Sequence, residues 1–173
     1  MSRPGAVTFK GNPLTLAGEA VVVGKPAPDF KLAQYEGGMK EITLADLKGK
    51  PTIISVVPSL DTPVCAIQTK KFNEELGKLG DKINAVTVSV DLPFAMNRFC
   101  GAENIKSLMS LSDYKDRNFG KNWGMLIEEL QLLARGTFVL DKDCKVVYAE
   151  QVKEVAEEPQ YEASLAKLKE LVG

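Results

Sequence analysis

The octapeptide PSLDTPVC, Pro58 to Cys65, puts a thiol where chemistry is open to it. Thr62 suits a helix N-cap and Pro63 the first helical position, and Val64 to Leu79 repeat with helical periodicity. Cys65 then falls at the third helical position, beside free backbone N–H groups and the positive end of the helix dipole. A thiol so placed gives up its proton more readily, and the thiolate is the nucleophile. Packing offers a second reading, in which a small buried cysteine fills a helix start. Apolar burial acts on a thiol in the opposite sense, and both readings stand at this point.

The chain contains no histidine. A Cys–His nucleophilic pair is therefore excluded within one chain, and so is zinc held by imidazole. The three cysteines, Cys65, Cys100 and Cys144, are too few and too odd in number for a disulfide scaffold. A metal site built from them needs a carboxylate or a second chain as fourth ligand. No C-x-x-C pair occurs, which argues against a general disulfide exchanger. If Cys65 is activated, a helix terminus, hydroxyls and cations must do it.

The 173 residues fit one domain, residues 1–173, with room for a core. An apolar fraction of 45% and a charged fraction of 26% are ordinary for a soluble globular protein. A net charge of -1 gives no global electrostatic case for nucleic acid or a membrane surface. No apolar stretch approaches the length of a membrane span. The N-terminal MSRPGAVTFKGNPLTL lacks the apolar centre of a secretion signal, so the expected location is cytoplasmic.

The elements that must position Cys65 read as follows. VTFKGNPLTL is an N-terminal hairpin around a Gly-Asn-Pro turn. Strands are expected at Phe30–Gln34 and Glu41–Leu44, with Gly37-Gly38 between them. PTIISVV is a continuous β-branched run, as a strand buried on both faces requires, and INAVTVSVD is the next. Phe94–Gly101 reads as a short helix holding Cys100, Ser107–Leu111 as a strand and Asp116–Trp123 as helical. GTFVLD and KVVYAEQV form a hairpin around Lys142-Asp143-Cys144, and Tyr161–Val172 is an amphipathic helix. This order predicts an α/β sandwich with a mixed sheet.

The pattern Pro58-x-x-x-Thr62-x-x-Cys65 on a strand-to-helix turn resembles the active-site signature of the peroxiredoxins. SLDTPVCAIQTKKFNEEL and DLPFAMNRFCGAENI resemble, more narrowly, those of the bacterial thiol peroxidases. The likeness runs from about Val7 to the C-terminal helix. It implies an α/β thioredoxin-like fold, a mixed central sheet flanked by helices, with an N-terminal β-hairpin. It implies a peroxide-reducing two-cysteine cycle without a bound cofactor, a homodimer, and thioredoxin as reductant. Cys65 matches the peroxidatic cysteine and Cys100 the resolving one in the same chain. The resemblance also places Arg135, in LLARGTFVL, pointing at the peroxidatic sulfur; residue type alone favours a surface charge instead.

Peroxide reduction needs a thiolate in line with the O–O bond and groups that stabilise the departing oxygen. The Thr62 hydroxyl is expected to accept from a helix N–H and to donate to thiolate or peroxide. Pro58 is expected to shield the thiolate. The implied product is a sulfenic acid on Cys65, which Cys100 converts to a disulfide. A disulfide needs Cα atoms within about 7 Å, which two separately packed helices are not expected to offer in the reduced fold, so local unwinding is expected during turnover. Cys100 also reads as an apolar cysteine on a face shared with Phe94 and Phe99.

Cys144, in the polar turn DKDCKVV, is expected to be exposed and catalytically irrelevant. Arg98 reads as a solvated helix residue and Glu154–Glu158 as solvated surface. Phe30, Phe94, Phe99, Phe119, Trp123 and Phe138 read as core. WGMLIEELQLLARG reads as core, with a substrate pocket or dimer surface as alternatives. Two other functions share the cysteine pair: a protein disulfide oxidoreductase or redox sensor, and a non-catalytic scaffold. A general exchanger would want C-x-x-C, and a scaffold has no need of PxxxTxxC.

Overall fold

The chain opens with a hairpin, β1 (Ser2–Phe9) and β2 (Asn12–Ala17). Its turn sits at Lys10-Gly11, with φ of 50° and 82°. A two-residue hairpin loop needs positive φ at both central positions, so the turn lies one residue earlier than Gly-Asn-Pro. A second hairpin joins β3 (Lys31–Tyr35) and β4 (Met39–Thr43). Then follow β5 (Thr52–Val56), α1 (Pro63–Gly77), β6 (Asn84–Ser89), α2 (Pro93–Ala102) and β7 (Met109–Ser112). The rest is α3 (Asn118–Asn122), β8 (Leu126–Ile127), β9 (Leu132–Leu133), β10 (Gly136–Leu140), β11 (Val146–Gln151) and α4 (Tyr161–Val172). These elements come from a computed structural model that describes residues 1–173.

Seven strands form one mixed sheet in the order β11-β10-β5-β6-β7-β3-β4. β5, β6 and β7 are parallel and the other pairs antiparallel. β1, β2, β8 and β9 form a separate small sheet. Every residue of β5 is buried, as its β-branched run requires. Alternation then sorts the sheet by parity. Ile54, Val56, Val86, Val88, Phe138 and Leu140 face the larger core, where they meet Val7 and Leu16 of the small sheet, Phe119 of α3, and Trp123. Ile53, Ala85 and Val139 face the other way, onto Phe72 and Leu76 of α1 and Leu165 and Leu168 of α4.

One expectation, core packing of a long apolar run, holds, and others change. WGMLIEELQLLARG contributes Trp123, Met125, Leu126, Ile127 and Leu133 to the larger core, because β8 and β9 extend the small sheet over it. Neither a pocket nor an outer apolar surface is its main product, although Leu130 is exposed. Phe94 is 59% exposed and leans on Tyr35 instead of entering the core, since it starts α2 on the outer side. Cys144 is buried, not exposed: its residue adopts φ of 63°, which turns the side chain into the larger core beside the Leu44 carbonyl. Glu154 is half-buried and structural. Its carboxylate accepts from Gly11 N, Thr8 Oγ1 and Ala156 N, clasping the first hairpin.

Candidate active site

β5 ends under the loop Val57–Thr62, and α1 begins at Pro63 with Thr62 as its N-cap. Cys65 is the third residue of α1, as its spacing predicts. Its side chain is fully buried and packs with Val57, Leu60 and Met96, with Phe99 against them. Val57 belongs to the face of β5 that carries Ile53, which is why it meets a helix residue. Pro58 is buried directly after Val57, and Thr62 is exposed.

Thr62 does not cap as expected. Its hydroxyl donates to the Ser59 carbonyl at 3.1 Å, and no side chain bonds the first amides of α1. The Thr62 amide points at the same carbonyl, at 3.3 Å. The hydroxyl therefore reinforces a tight turn and leaves the helix N-terminus open toward Cys65.

Arg135 immediately precedes β10. Gly136 pairs with Val56, so Arg135 stands at the level of Val57, at the end of β5 nearest Cys65. It is buried, 2% exposed, and not a surface charge. Nε donates to the Val155 carbonyl at 2.9 Å and Nη1 to Gln68 Oε1 at 3.0 Å. Gln68 lies three residues after Cys65 on α1, hence on the same helical face, and its Nε2 donates to Ser55 Oγ at 2.7 Å. The ion pairs Lys70–Glu103, Lys78–Glu75 and Lys167–Glu170 leave Arg135 without a carboxylate. A buried cation without an anion costs several kcal/mol, and the outer edge of the guanidinium makes no bond within the chain.

Cys100 lies on α2, half-buried, and its sulfur is 2.9 Å from Ser110 Oγ of β7. Burial pushes its thiol up, and the Ser110 bond acts in the opposite sense. It packs against the α1/α4 core, whereas Cys65 belongs to its own small cluster; Phe99 touches both. All three cysteines are free thiols. Arg98 is exposed on the outer side of α2, as expected.

The loop before Cys65 hangs on a residue not singled out from sequence. The Asp91 carboxylate accepts from Ser59 Oγ (2.8 Å), Leu60 N (2.8 Å) and Ser89 Oγ (2.6 Å). Its backbone carbonyl accepts from Ser112 Oγ. A signal was present: Asp91 closely follows the buried run INAVTVSV, at the carboxyl end of a parallel strand where sites gather. Gln68 carried one as well, its spacing of three residues from the thiol on the same helix.

A mixed thioredoxin-like sheet, with a thiol opening the helix after a fully buried inner strand and an unpaired buried cation tied to that helix, defines a thiol-based redox protein. Known proteins agree. The Redoxin family matches residues 22–165. The chain is 53% identical over 166 residues to the thiol peroxidase of Bacillus subtilis, covering 96% of this chain and 98% of that protein. It is 46% identical to the thiol peroxidase of Streptococcus sanguinis, covering 95% and 99%. Among solved structures, a peroxiredoxin-like protein from Aquifex aeolicus superposes with a TM-score of 0.88 at 39% identity, over 96% of this chain and 97% of that one. The chain belongs to the Redoxin family and, within it, to the thiol peroxidases, which are peroxiredoxin-type oxidoreductases.

Proposed function

We propose that this chain, acting as a single catalytic domain, reduces hydroperoxides at Cys65 and closes the cycle through a Cys65–Cys100 disulfide. The Cys65 thiolate attacks one peroxide oxygen and the O–O bond breaks. The other oxygen leaves as water or alcohol, and Cys65 becomes a sulfenic acid. Cys100 displaces the sulfenic hydroxyl as water, leaving a disulfide. An external dithiol, thioredoxin by resemblance, returns both thiols by exchange.

The observation that carries this reading is Arg135. A guanidinium buried without a carboxylate, and tied through Gln68 to the helix that starts at Cys65, fits an anion that arrives or forms during the reaction. In this reading Arg135 steadies the thiolate and the departing oxygen, and Pro58 keeps water from the sulfur. Thr62 Oγ1 exchanges the Ser59 carbonyl for peroxide when the loop opens. Cys65 is fully buried, so peroxide reaches it as the exposed turn at Thr62–Pro63 yields.

The apolar surroundings, Val57, Leu60, Met96 and Phe99, support alkyl hydroperoxides as preferred substrates. A homodimer is proposed on the family likeness, with exposed Leu92 and Phe94 of the α2 start as available apolar surface. No helix is long and apolar enough to cross a membrane. A catalytic thiol kept reduced by a dithiol partner fits a cytoplasmic setting.

The test is peroxide consumption driven by thioredoxin. Cys65→Ser is expected to abolish it, and wild-type turnover with cumene hydroperoxide is expected to exceed that with hydrogen peroxide. Activity retained in Cys65→Ser overturns the assignment of the thiol, and equal efficiencies overturn the substrate preference.

A further inference from the structure

The sheet face beneath α1 and α2 carries a row of hydroxyls. Thr137 of β10 pairs with Ser55 of β5, Ser55 with Thr87 of β6, and Thr87 with Ser110 of β7. By parity these side chains share the face of Ile53, Ala85 and Val139, where aliphatic residues pack under the helices. Near one end of the row, next to Thr137, Ser55 meets Gln68, which holds Arg135. At the other end Ser110 meets Cys100. Thr87 between them, and Thr137 beyond Ser55 on β10, have buried hydroxyls without partners. Packing alone favours valine at such positions, so the row is not explained by the core it lies in.

The aim of Cys100 matters for the cycle. On α2, Met96 and Phe99 pack toward Cys65. Cys100 follows Phe99 by one residue, which turns it by about 100° around the helix. Its sulfur points down at β7, and the Ser110 hydroxyl meets it there, at the wall of an open cleft of about 470 Å³ that both residues line.

We propose that Ser110 is a positioning residue for the resolution step: its hydroxyl latches the Cys100 thiol against β7, and the Cys65–Cys100 disulfide forms only after that contact breaks. The inference rests on the assignment of Cys100 as the resolving cysteine. The step is balanced without an outside reagent. Cys100 Sγ attacks the sulfenic sulfur, the S–S bond forms, the S–O bond breaks, and hydroxide leaves with the thiol proton as water. The latch belongs to the state before attack, so it slows resolution and lengthens the life of the sulfenic acid. A second peroxide can then carry that sulfenic acid to sulfinic acid.

The experiment uses the full chain, wild type, Ser110→Ala and Ser110→Thr, mixed with hydrogen peroxide and followed by rapid quench, thiol alkylation and mass measurement. Ser110→Ala is expected to form the disulfide roughly two- to tenfold faster, from the loss of one modest hydrogen bond. It should also accumulate less sulfinic acid, with the rate of sulfenic acid formation unchanged. Ser110→Thr is expected to restore the wild-type rate.

A second measurement reports the contact directly. With Cys65 and Cys144 replaced by serine, the pH midpoint of Cys100 alkylation should move upward in Ser110→Ala, because the hydroxyl no longer donates to the thiolate. Unchanged or slower resolution in Ser110→Ala, with wild-type disulfide formation intact, overturns the latch alone. So does faster resolution without movement of the alkylation midpoint, which marks mere loosening of α2. Absence of a Cys65–Cys100 disulfide in the wild type overturns the resolving assignment itself, and the latch with it.

Discussion

Arg135 carries a charge into the interior without a carboxylate to meet it, so its removal separates function from stability. Arg135→Gln is expected to lower the second-order rate with peroxide by about 100-fold, the scale of one lost charge-stabilising donor. The same variant should shift Tm by only a few degrees. Stopped-flow rates set beside thermal melts check this; a loss of activity no larger than the loss of folded protein would contradict it. Asp91 should behave differently. Three donors converge on its carboxylate, so Asp91→Ala is expected to destabilise the chain by about 2–3 kcal/mol and to slow peroxide reduction through the loosened Ser59–Leu60 loop. Urea unfolding together with activity at low denaturant would measure both. Cys144→Ser should leave turnover intact while costing about 1 kcal/mol, since the replacement buries a hydroxyl that can still reach the Leu44 carbonyl.

At the scale of elements, α3 is a short helix started by a buried acid. The Asp113 carboxylate accepts from Phe119 N at 3.0 Å and Gly120 N at 2.8 Å. Burial outweighs those bonds and pushes its pKa up to about 6. The folded value lies above the ordinary 3.8, so the folded state holds this proton more tightly than the unfolded one. The contribution of Asp113 is complete below about pH 4 and is lost as pH rises through about 6, on the order of 3 kcal/mol. Asp113→Asn removes that dependence. Its stability relative to wild type is expected to improve between pH 4 and 7, which unfolding curves across that range would check. A difference that stays flat with pH would contradict the buried charge.

For the molecule as a whole, the first hairpin is joined to the main sheet partly through Glu154. Backbone donors at Ala156, then Gly11, draw its pKa down to about 2. Here the folded value lies below the ordinary 4.5, so the stabilisation is present above that value and is lost as pH falls toward 2. Hydrogen exchange in β1 and β2 is expected to accelerate below pH 4 before exchange in β5 and β6 does. Glu154→Gln should bring that acceleration to neutral pH. Equal exchange in both regions throughout acidification would mean that the clasp does not hold the hairpin independently.

Local signals carried far in this chain. The β-branched runs place β5 and β6, the Thr-Pro pair places the start of α1 and thus Cys65 at its third residue, and periodicity places α4 over Tyr161–Val172. These depend on neighbours within a few residues, where propensity and capping act. The motif residues Pro58, Thr62, Cys65, Cys100 and Arg135 could also be named from sequence. Only the tertiary structure decided what they touch. Thr62 turns back to Ser59, Arg135 becomes an interior cation through Gln68, Cys144 enters the core on a left-handed residue, and Phe94 leaves it. Such contacts join residues far apart in the chain, and their burial and hydrogen bonds exist only once strand register brings distant segments to one face of the sheet.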